Sequence, residues 1–535
     1  MKSIEIPYQK NKGRRYRFFE MLPGLLSWSI LIIPFVLSWI NPTLCVLVII
    51  AYLLLWFVKS AGLTIRSLQG YKVIQDHMKL PLPQMLVELQ SRKVTQPEKS
   101  VPTWHYDNIR RLQDHGPVIE PSAMIHAIVI AAYNETREVL EPTIQSVLAS
   151  EYDMQKVILV FAYEGRDGAQ SEQAVLDLVK EYGGQFMKAM AFKHPLTEGE
   201  VRGKGGNITF AGRGLEKYLT ENKIDPLRVI VTTLDSDNRP HKYYLAALSY
   251  LYAMAPDPAR VSFQPVPMFT NNIWDAPAPM RVIATGNTFW NVVLSLRPHM
   301  IRNFSSHAQS MKALIDTDFW SVRTIVEDGH QFWRTYFRYD GDHDVYPIYL
   351  PIFQDAVLSS TWRKTIKAQF IQIRRWAWGA SDVAYVMETG FFKPNKVPRL
   401  DLTFKFLRLL EGHVSWATAP LLLAFAAFVP AFLNSDDFTS NQLPIIASRI
   451  QTFAMVGIVV TLFLSLKLLP PKPARYKHHR TLFMVLQWAI LPVTTIVFNS
   501  LAALNSQTRL IFGWNLNKFD VTDKAVVKED KQRVM

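Results

Sequence analysis

The chain has 535 residues, 49% of them hydrophobic and 12% aromatic, and a formal net charge of +14. The length allows two or three domains. Its apolar excess gathers at the two ends while most acids lie in the middle, which excludes an ordinary soluble enzyme and fits a membrane protein with a soluble core between its spans. A single cysteine, Cys45, excludes disulfides within one chain and cysteine-ligated zinc; no nucleic-acid motif accompanies the basic balance, which juxtamembrane Lys and Arg facing an anionic leaflet explain.

From Met21 to Val58 no residue is charged. As one helix this stretch would be about 57 Å long, close to twice the roughly 30 Å hydrocarbon thickness. Asn41-Pro42 stands where the direction would reverse, so two spans are expected, about 21–40 and 43–58. Lys10, Lys12, Arg14, Arg15 and Arg17 precede the first, and Lys59, Arg66 and Lys72 follow the second, which puts both ends of the hairpin on the cytoplasmic side. Residues 61–120 read as a polar connector with an interfacial helix.

A soluble domain over 121–360 opens with the apolar strand Met124 to Ala132, ending at Tyr133-Asn134-Glu135. A helical pattern (138–150), a second strand (156–162) running into Tyr163 to Gly168, and a further helix (171–182) follow. A Gly-rich loop at 199–206 then leads into a helix through Tyr218. The run Val229 to Leu234 is a buried strand that stops at two carboxylates, Asp235 and Asp237. Strands alternating with helices predict an α/β domain: a mostly parallel sheet with helices on both faces, inserted between transmembrane helices. Such sheets bind ligands beyond the carboxyl ends of their strands, where all three polar endings fall. Two carboxylates two residues apart in extended chain share a side and could hold a divalent cation, although Asp-Ser-Asp-Asn is equally ordinary turn chemistry.

The loop Gly199 to Asn207 has the wrong spacing for a phosphate-binding Walker loop and lacks the Ser or Thr after Lys204. It reads either as a surface loop or as an anion site formed by Lys204 and a helix N-terminus. Glu327 and Asp328 open an aromatic-rich helix. Asp328 with Gln331 fits a capping box, and a carboxylate fixed there is equally placed to act as a general base. Asp340-Gly-Asp342-His-Asp344 lacks the glycine and glutamate of a calcium loop and reads as an acidic turn. Within interfacial helices at 361–412, Gln372, Arg375 and Trp376 share a face. That face would suit headgroup depth, a diphosphate and sugar ring, or both. Over 413–513 two spans are expected, about 413–433 and 445–466. Residues 481–504 form a third apolar stretch, broken or re-entrant at Pro492, before a basic tail at 514–535 that is expected to be cytoplasmic.

Taken in order, Asp235-Ser-Asp237, Glu327-Asp328 and Gln372-x-x-Arg375-Trp376, followed by membrane spans, resemble the membrane-embedded glycosyltransferases of family two, such as cellulose, chitin and hyaluronan synthases. The resemblance runs from about residue 120 to the end. It implies that Tyr133, Glu135 and Asp167 hold the uridine of a UDP-sugar, although Ala131 replaces the usual proline. Lys204 and Asn207 would lie near the nucleotide, and Asp235 near the ribose or diphosphate. Asp237, with Asp235, would hold magnesium or manganese. Asp328 would be the catalytic base with Glu327 beside the acceptor. Gln372, Arg375 and Trp376 would bind the diphosphate and the acceptor sugar. Phe519 to Lys524 looks like the gating segment of cellulose-synthase-like members.

The resemblance implies a cytoplasmic catalytic domain on a multi-pass cell-membrane protein. Its partners would be a nucleotide sugar, a glycan or lipid acceptor and the bilayer, with no nucleic acid. The leading expectation is processive, inverting, export-coupled synthesis of a β-linked polysaccharide. The alternatives are a single transfer onto a lipid or short glycan, and a non-catalytic scaffold or nucleotide-sugar sensor. The retained carboxylates speak against the last. Phe304 to His307 and Asn271 to Trp274 fall where acceptor contacts are expected, without an assigned sugar.

Overall fold

The computed structural model describes residues 4–95, 101–165, 169–195, 197–477 and 479–516. Asp167 and the segment Phe519 to Lys524 lie outside the described residues. Eight strands form one sheet: β1 Ile125–Ala132, β2 Val157–Glu164, β3 Lys188–His194, β4 Val229–Asp235, β5 Arg239–Pro240, β6 Val261–Met268, β7 Ala308–Ser310 and β8 Asp344–Phe353. Their order is β3-β2-β1-β4-β7-β6-β8-β5. The first four are mutually parallel, as expected, and β6 and β8 are parallel too, whereas β7 and β5 pair antiparallel with their neighbours.

Alternation in the strands explains the two-sided core. Ile128, Ile130, Leu159 and Phe161 pack against Leu140, Ile144, Val175 and Leu178 on one face. On the other, Ala127, Val129, Ile158 and Val160 pack against Ile208, Ala211 and Leu215. These strands read as continuous apolar runs because both faces are covered. The register of β6 on β8 slips between Pro265 and Val266. Prolines at 265, 267, 347 and 351 cannot donate to a ladder, so a bulge is the local solution.

Four helices are long and apolar enough to cross a membrane: Arg14–Ile40, Pro42–Met78, Phe438–Leu468 and His479–Phe512. Asn41 ends the first and caps the second, its side chain accepting from Leu44 N at 3.0 Å, with Pro42 at the first helical position. The second helix does not stop near residue 58 but continues to Met78, so the start of the expected connector is part of the span's own helix. Gly70 on that extension permits close packing on the helix Ala278–Ser295, where a Cβ would lie 2.5 Å from Val292 Cγ1.

The stretch 413–433, expected as a span, is divided between the helices Arg399–Phe425 and Phe428–Leu433 and is not one of the four. Nor does Pro492 reverse the chain. The helix winds through a 3₁₀ turn at Gln487–Ile490 and a π turn at Thr495–Ser500, then runs on to Phe512. Local rewinding re-satisfies backbone groups that the proline releases. Arg480 Nη2 at the start of this helix donates to Trp274 O at 2.7 Å, and Leu510 near its end packs with Ile325, Val326 and Trp378. Both ends therefore touch the sheet domain.

Candidate active site

At the carboxyl edge of the sheet the chain braces itself before it offers anything to a ligand. Glu135 Oε2 accepts from Tyr133 N at 2.6 Å and Asn134 N at 3.2 Å, and its Oε1 accepts from Ser236 Oγ at 3.0 Å. One carboxylate thus ties the end of β1 to the turn after β4. Strand β4 ends at Asp235 and the chain turns at Ser236 and Asp237, so strand alternation is not what directs the two carboxylates to one place. The turn is held from outside: Asn271 Nδ2 donates to Asp237 O at 3.0 Å, and Asp355 N donates to Asp237 Oδ2 at 3.1 Å.

Asp235 Oδ1 accepts from Lys204 Nζ at 2.6 Å, and Ser305 Oγ donates to Oδ2. Lys204 begins the helix Lys204–Glu221, which the Gly-rich loop feeds. Gly205 must be glycine because a Cβ there would collide with Ser321 O and crowd Glu327 Cβ. That close approach is what brings Lys204 and the Glu327-Asp328 pair to one wall. Asn207 Oδ1 faces His194 Nδ1 at 3.0 Å, which anchors the same helix to β3.

The capping-box reading of Asp328 is overturned. The helix Glu327–Arg338 starts one residue earlier with Val326 as N-cap, and no side chain caps it. Gln331 turns instead into the core, with its Nε2 3.2 Å from both Gln309 Oε1 and Thr317 Oγ1. Asp328 Oδ1 accepts only from the adjacent Gly329 N, at 2.7 Å, among the hydrogen bonds described for it. Burial pushes the Glu327 carboxyl up to about 8, with the charge of Asp328 adding to the shift. Burial also raises Asp328, against the lowering influence of Lys204, the Gly329 N–H and Arg375. Burial opposes the charge on Lys204, yet Asp235, Glu327 and Asp328 outweigh it and its pKa rises.

Gln372, Arg375 and Trp376 lie on the helix Trp362–Ala377, with Gln372 Oε1 accepting from Gln369 Nε2 at 3.1 Å and Trp376 packed on Phe269. One cavity of about 1910 Å³ is lined by Tyr133, Glu135, Lys204, Asn207, Asp235 and Asp237, and equally by Glu327, Asp328, Gln372, Arg375 and Trp376. It continues between the apolar helices past Trp56, Trp416, Ala454 and Asn499. Among the described residues no three of His, Cys, Asp and Glu gather as a metal site. The available donors are the hard oxygens of Asp235 and Asp237, a set that suits magnesium or manganese when the remaining ligands are phosphate oxygens and water.

Sequence reasoning left several participants without a role. Asn271 and Asn272 position the turn at Asp237 and the chain at Ala356, Trp274 Nε1 donates to Pro470 O, and buried His307 sits between Phe304 O and Trp320. They support the site's walls; only Asn272 and Phe304 of these line the cavity. Ser305, within the Phe304 to His307 stretch, lines the cavity and holds Asp235; Asp355 was missed. Asp355 had a findable signal, a carboxylate two residues beyond the apolar strand β8, like Asp237 beyond β4.

No family model and no curated protein matches the chain. Among solved structures it is similar to the mannosyltransferase PcManGT from Pyrobaculum calidifontis in complex with GDP-Man and Mn2+, at 14% identity and a TM-score of 0.40, covering 72% of this chain and 99% of that one. It is also similar to S. aureus TarS 1-349, at 10% identity and a TM-score of 0.35 over 73% of this chain and 92% of that one. The same protein in complex with UDP gives 11%, 0.35, 75% and 95%. At these identities and scores the similarity assigns neither substrate nor reaction to this chain.

Proposed function

We propose that the protein is a membrane glycosyltransferase that moves a sugar, with inversion, from a nucleotide sugar onto a growing glycan. The observation that carries this reading is the single cavity. Its 1910 Å³ exceeds the roughly 300–1,000 Å³ of an ordinary small-ligand pocket, and it joins a wall of carboxylates and cations to a lumen among apolar helices. A donor and a chain leaving through the membrane would both fit that shape. The resemblance to cellulose, chitin and hyaluronan synthases points the same way and favours a UDP-sugar.

In this reading Asp328 removes the proton of the acceptor hydroxyl as its oxygen attacks the anomeric carbon. The bond from that carbon to the diphosphate oxygen breaks, and Lys204 and Arg375 face the charge left on the departing group. When bound, magnesium or manganese on Asp237 and Asp235 supplies further compensation for that charge. Trp376 offers a flat apolar face for the acceptor sugar, and no covalent enzyme intermediate is needed. The bases ahead of Met21 favour a cytoplasmic catalytic domain.

A panel of labelled sugar nucleotides, read for nucleoside diphosphate release and product size, tests this. Release should require magnesium or manganese. Asp328→Asn should lower it by roughly a hundred- to ten-thousand-fold while nucleotide binding is kept. Full turnover by that variant would remove the base assignment, and metal-independent turnover the cation assignment.

A further inference from the structure

We infer that the membrane-side mouth of the cavity is a second anion site, in which Arg66, Arg297 and Arg302, with Arg408 at the rim, receive the phosphate group of a membrane lipid. This stands whether or not sugar transfer is confirmed. Arg66, Arg297 and Arg302 all line the cavity, alongside Trp56, Phe57, Leu63, Trp290 and Met300. They come from three separate places: the helix Pro42–Met78, the chain just after Ala278–Ser295, and the segment leading to Ser305. Gly70 against Val292 brings the first two together, and Arg408 Nη1 reaches His299 O at 3.4 Å from the helix Arg399–Phe425.

Of the described acids only Asp382, acting on Arg302, and Glu411, acting on Arg408, oppose this positive charge, and neither is ion-paired with an arginine. Among the described residues none of the four arginines makes an ion pair, and the nearby acids are engaged elsewhere: Glu411 with Lys59 at 2.8 Å, Asp382 with His330 at 2.7 Å. Among the described residues the Arg297 guanidinium has only Met300 Sδ at 3.5 Å, and that of Arg302 only Lys405 O at 3.5 Å besides the Trp333 and Phe332 rings at 4.8 and 5.9 Å. Burial lowers the pKa of Arg297, and the charges of Arg66 and Arg408 lower it further. Arg302 is brought down to about 10 by burial; Asp382 opposes the shift and Arg408 adds to it. Like charges kept together in a partly enclosed space are costly, and a multiply charged anion relieves the repulsion between them. Arginine forks match phosphate oxygens two at a time, whereas a neutral glycan has nothing to neutralise them.

The surroundings select a lipid as the carrier of that phosphate. Ile65 at 57% exposure, Phe404 at 70%, Leu400 at 77% and Trp290 at 52% flank the arginines on neighbouring helices. Exposed apolar side chains and a tryptophan beside arginines are what a protein places at headgroup depth. The 302–305 segment links this site to the donor end, since Ser305 is the residue that holds Asp235.

The test uses the full chain in phosphatidylcholine vesicles with and without phosphatidic acid, extracted and analysed by mass spectrometry for retained lipid. Phosphatidic acid should be retained over phosphatidylcholine, and Arg297→Gln with Arg302→Gln should lower its retention about tenfold. As a control against unfolding of that double variant, exposed Arg408→Gln alone should still lower retention measurably, and Arg297→Lys should fall between wild type and Arg297→Gln. Equal retention of both lipids, or unchanged retention in all these variants, overturns the site. Displacement by millimolar inorganic phosphate as effective as by lipid overturns the lipid source. Nucleoside diphosphate binding should persist in Arg408→Gln; its loss together with the lipid overturns the separateness of the two sites. A sugar-nucleotide panel without turnover leaves every one of these readouts standing.

Discussion

Two adjacent carboxyls, Glu327 and Asp328, are both raised by burial in a single wall of the cavity. Glu327, raised to about 8, keeps its proton at neutral pH and is an uncharged neighbour; Lys204 draws both carboxyls down, and Arg375 acts on Asp328 as well. Both groups are raised in the folded state, so the folded protein binds more protons than the unfolded chain. Their contribution to stability is complete below the ordinary carboxylate range and is lost as pH rises through about 8 for Glu327. With Asp328 as the proposed base, activity has the opposite slope, since a base must be deprotonated. The acidic limb of kcat/KM should lie above the usual aspartate value. Lys204→Met, which removes a lowering charge, should move it to higher pH. Glu327→Gln should leave it in place and cost far less turnover at pH 7 than Asp328→Asn. A limb unmoved by Lys204→Met would contradict the assignment. The sequence offered two readings for Asp328, and what separates them is where Gln331 goes, a tertiary contact with Gln309 and Thr317 that no local pattern contains.

At the scale of elements, the segment ahead of the first helix is tied to the wall of the candidate site. Glu5 pairs with Arg334 at 2.9 Å, Arg323 Nη1 donates to Ile6 O at 2.7 Å, and Tyr385 OH donates to Ile4 O at 2.8 Å. The Tyr8 ring lies under the Arg323 guanidinium and so close to Gly199, at φ +84°, that a Cβ there would be 2.9 Å from it. Residues 4–8 therefore strap the Gly-rich loop that positions Lys204. Glu5→Ala leaves the buried Arg334 with only carbonyl partners, and its cost should fall at the lower end of roughly 3–5 kcal/mol, seen as a lowered thermal midpoint. Deleting residues 2–8 should raise the donor KM more than it lowers kcat; equal kinetics in the truncated protein would show the strap to be structural only. Five residues without periodicity carry no sign of this role. Strands β6 and β8 were hidden differently, by prolines that spoil a strand pattern and that only the bulged pairing accommodates. The parallel core was readable because its strands are buried on both faces, which leaves unbroken apolar runs ending at polar residues.

Over the whole molecule, the apolar ends and the α/β middle meet in the cavity, a junction that no single stretch of sequence describes. The pattern of charges located the spans at the N-terminus, but helix continuity through Met78 and through Pro492 depends on neighbours: Val292 against Gly70 in one case, rewinding of the backbone in the other. Because the lumen is continuous with the site, blocking it should separate chain length from chemistry. Ala454, on the helix Phe438–Leu468, lines the lumen far along the sequence from every site residue. If a growing chain leaves by this route, Ala454→Trp should shorten the product while release of nucleoside diphosphate during the first additions falls much less, because Asp328, Arg375 and Lys204 are untouched. Sizing products at equal release decides the matter. An unchanged length distribution would mean that the acceptor leaves by another path, and a single-sugar product from the wild type would favour the arginine-lined mouth, and a lipid acceptor, over export.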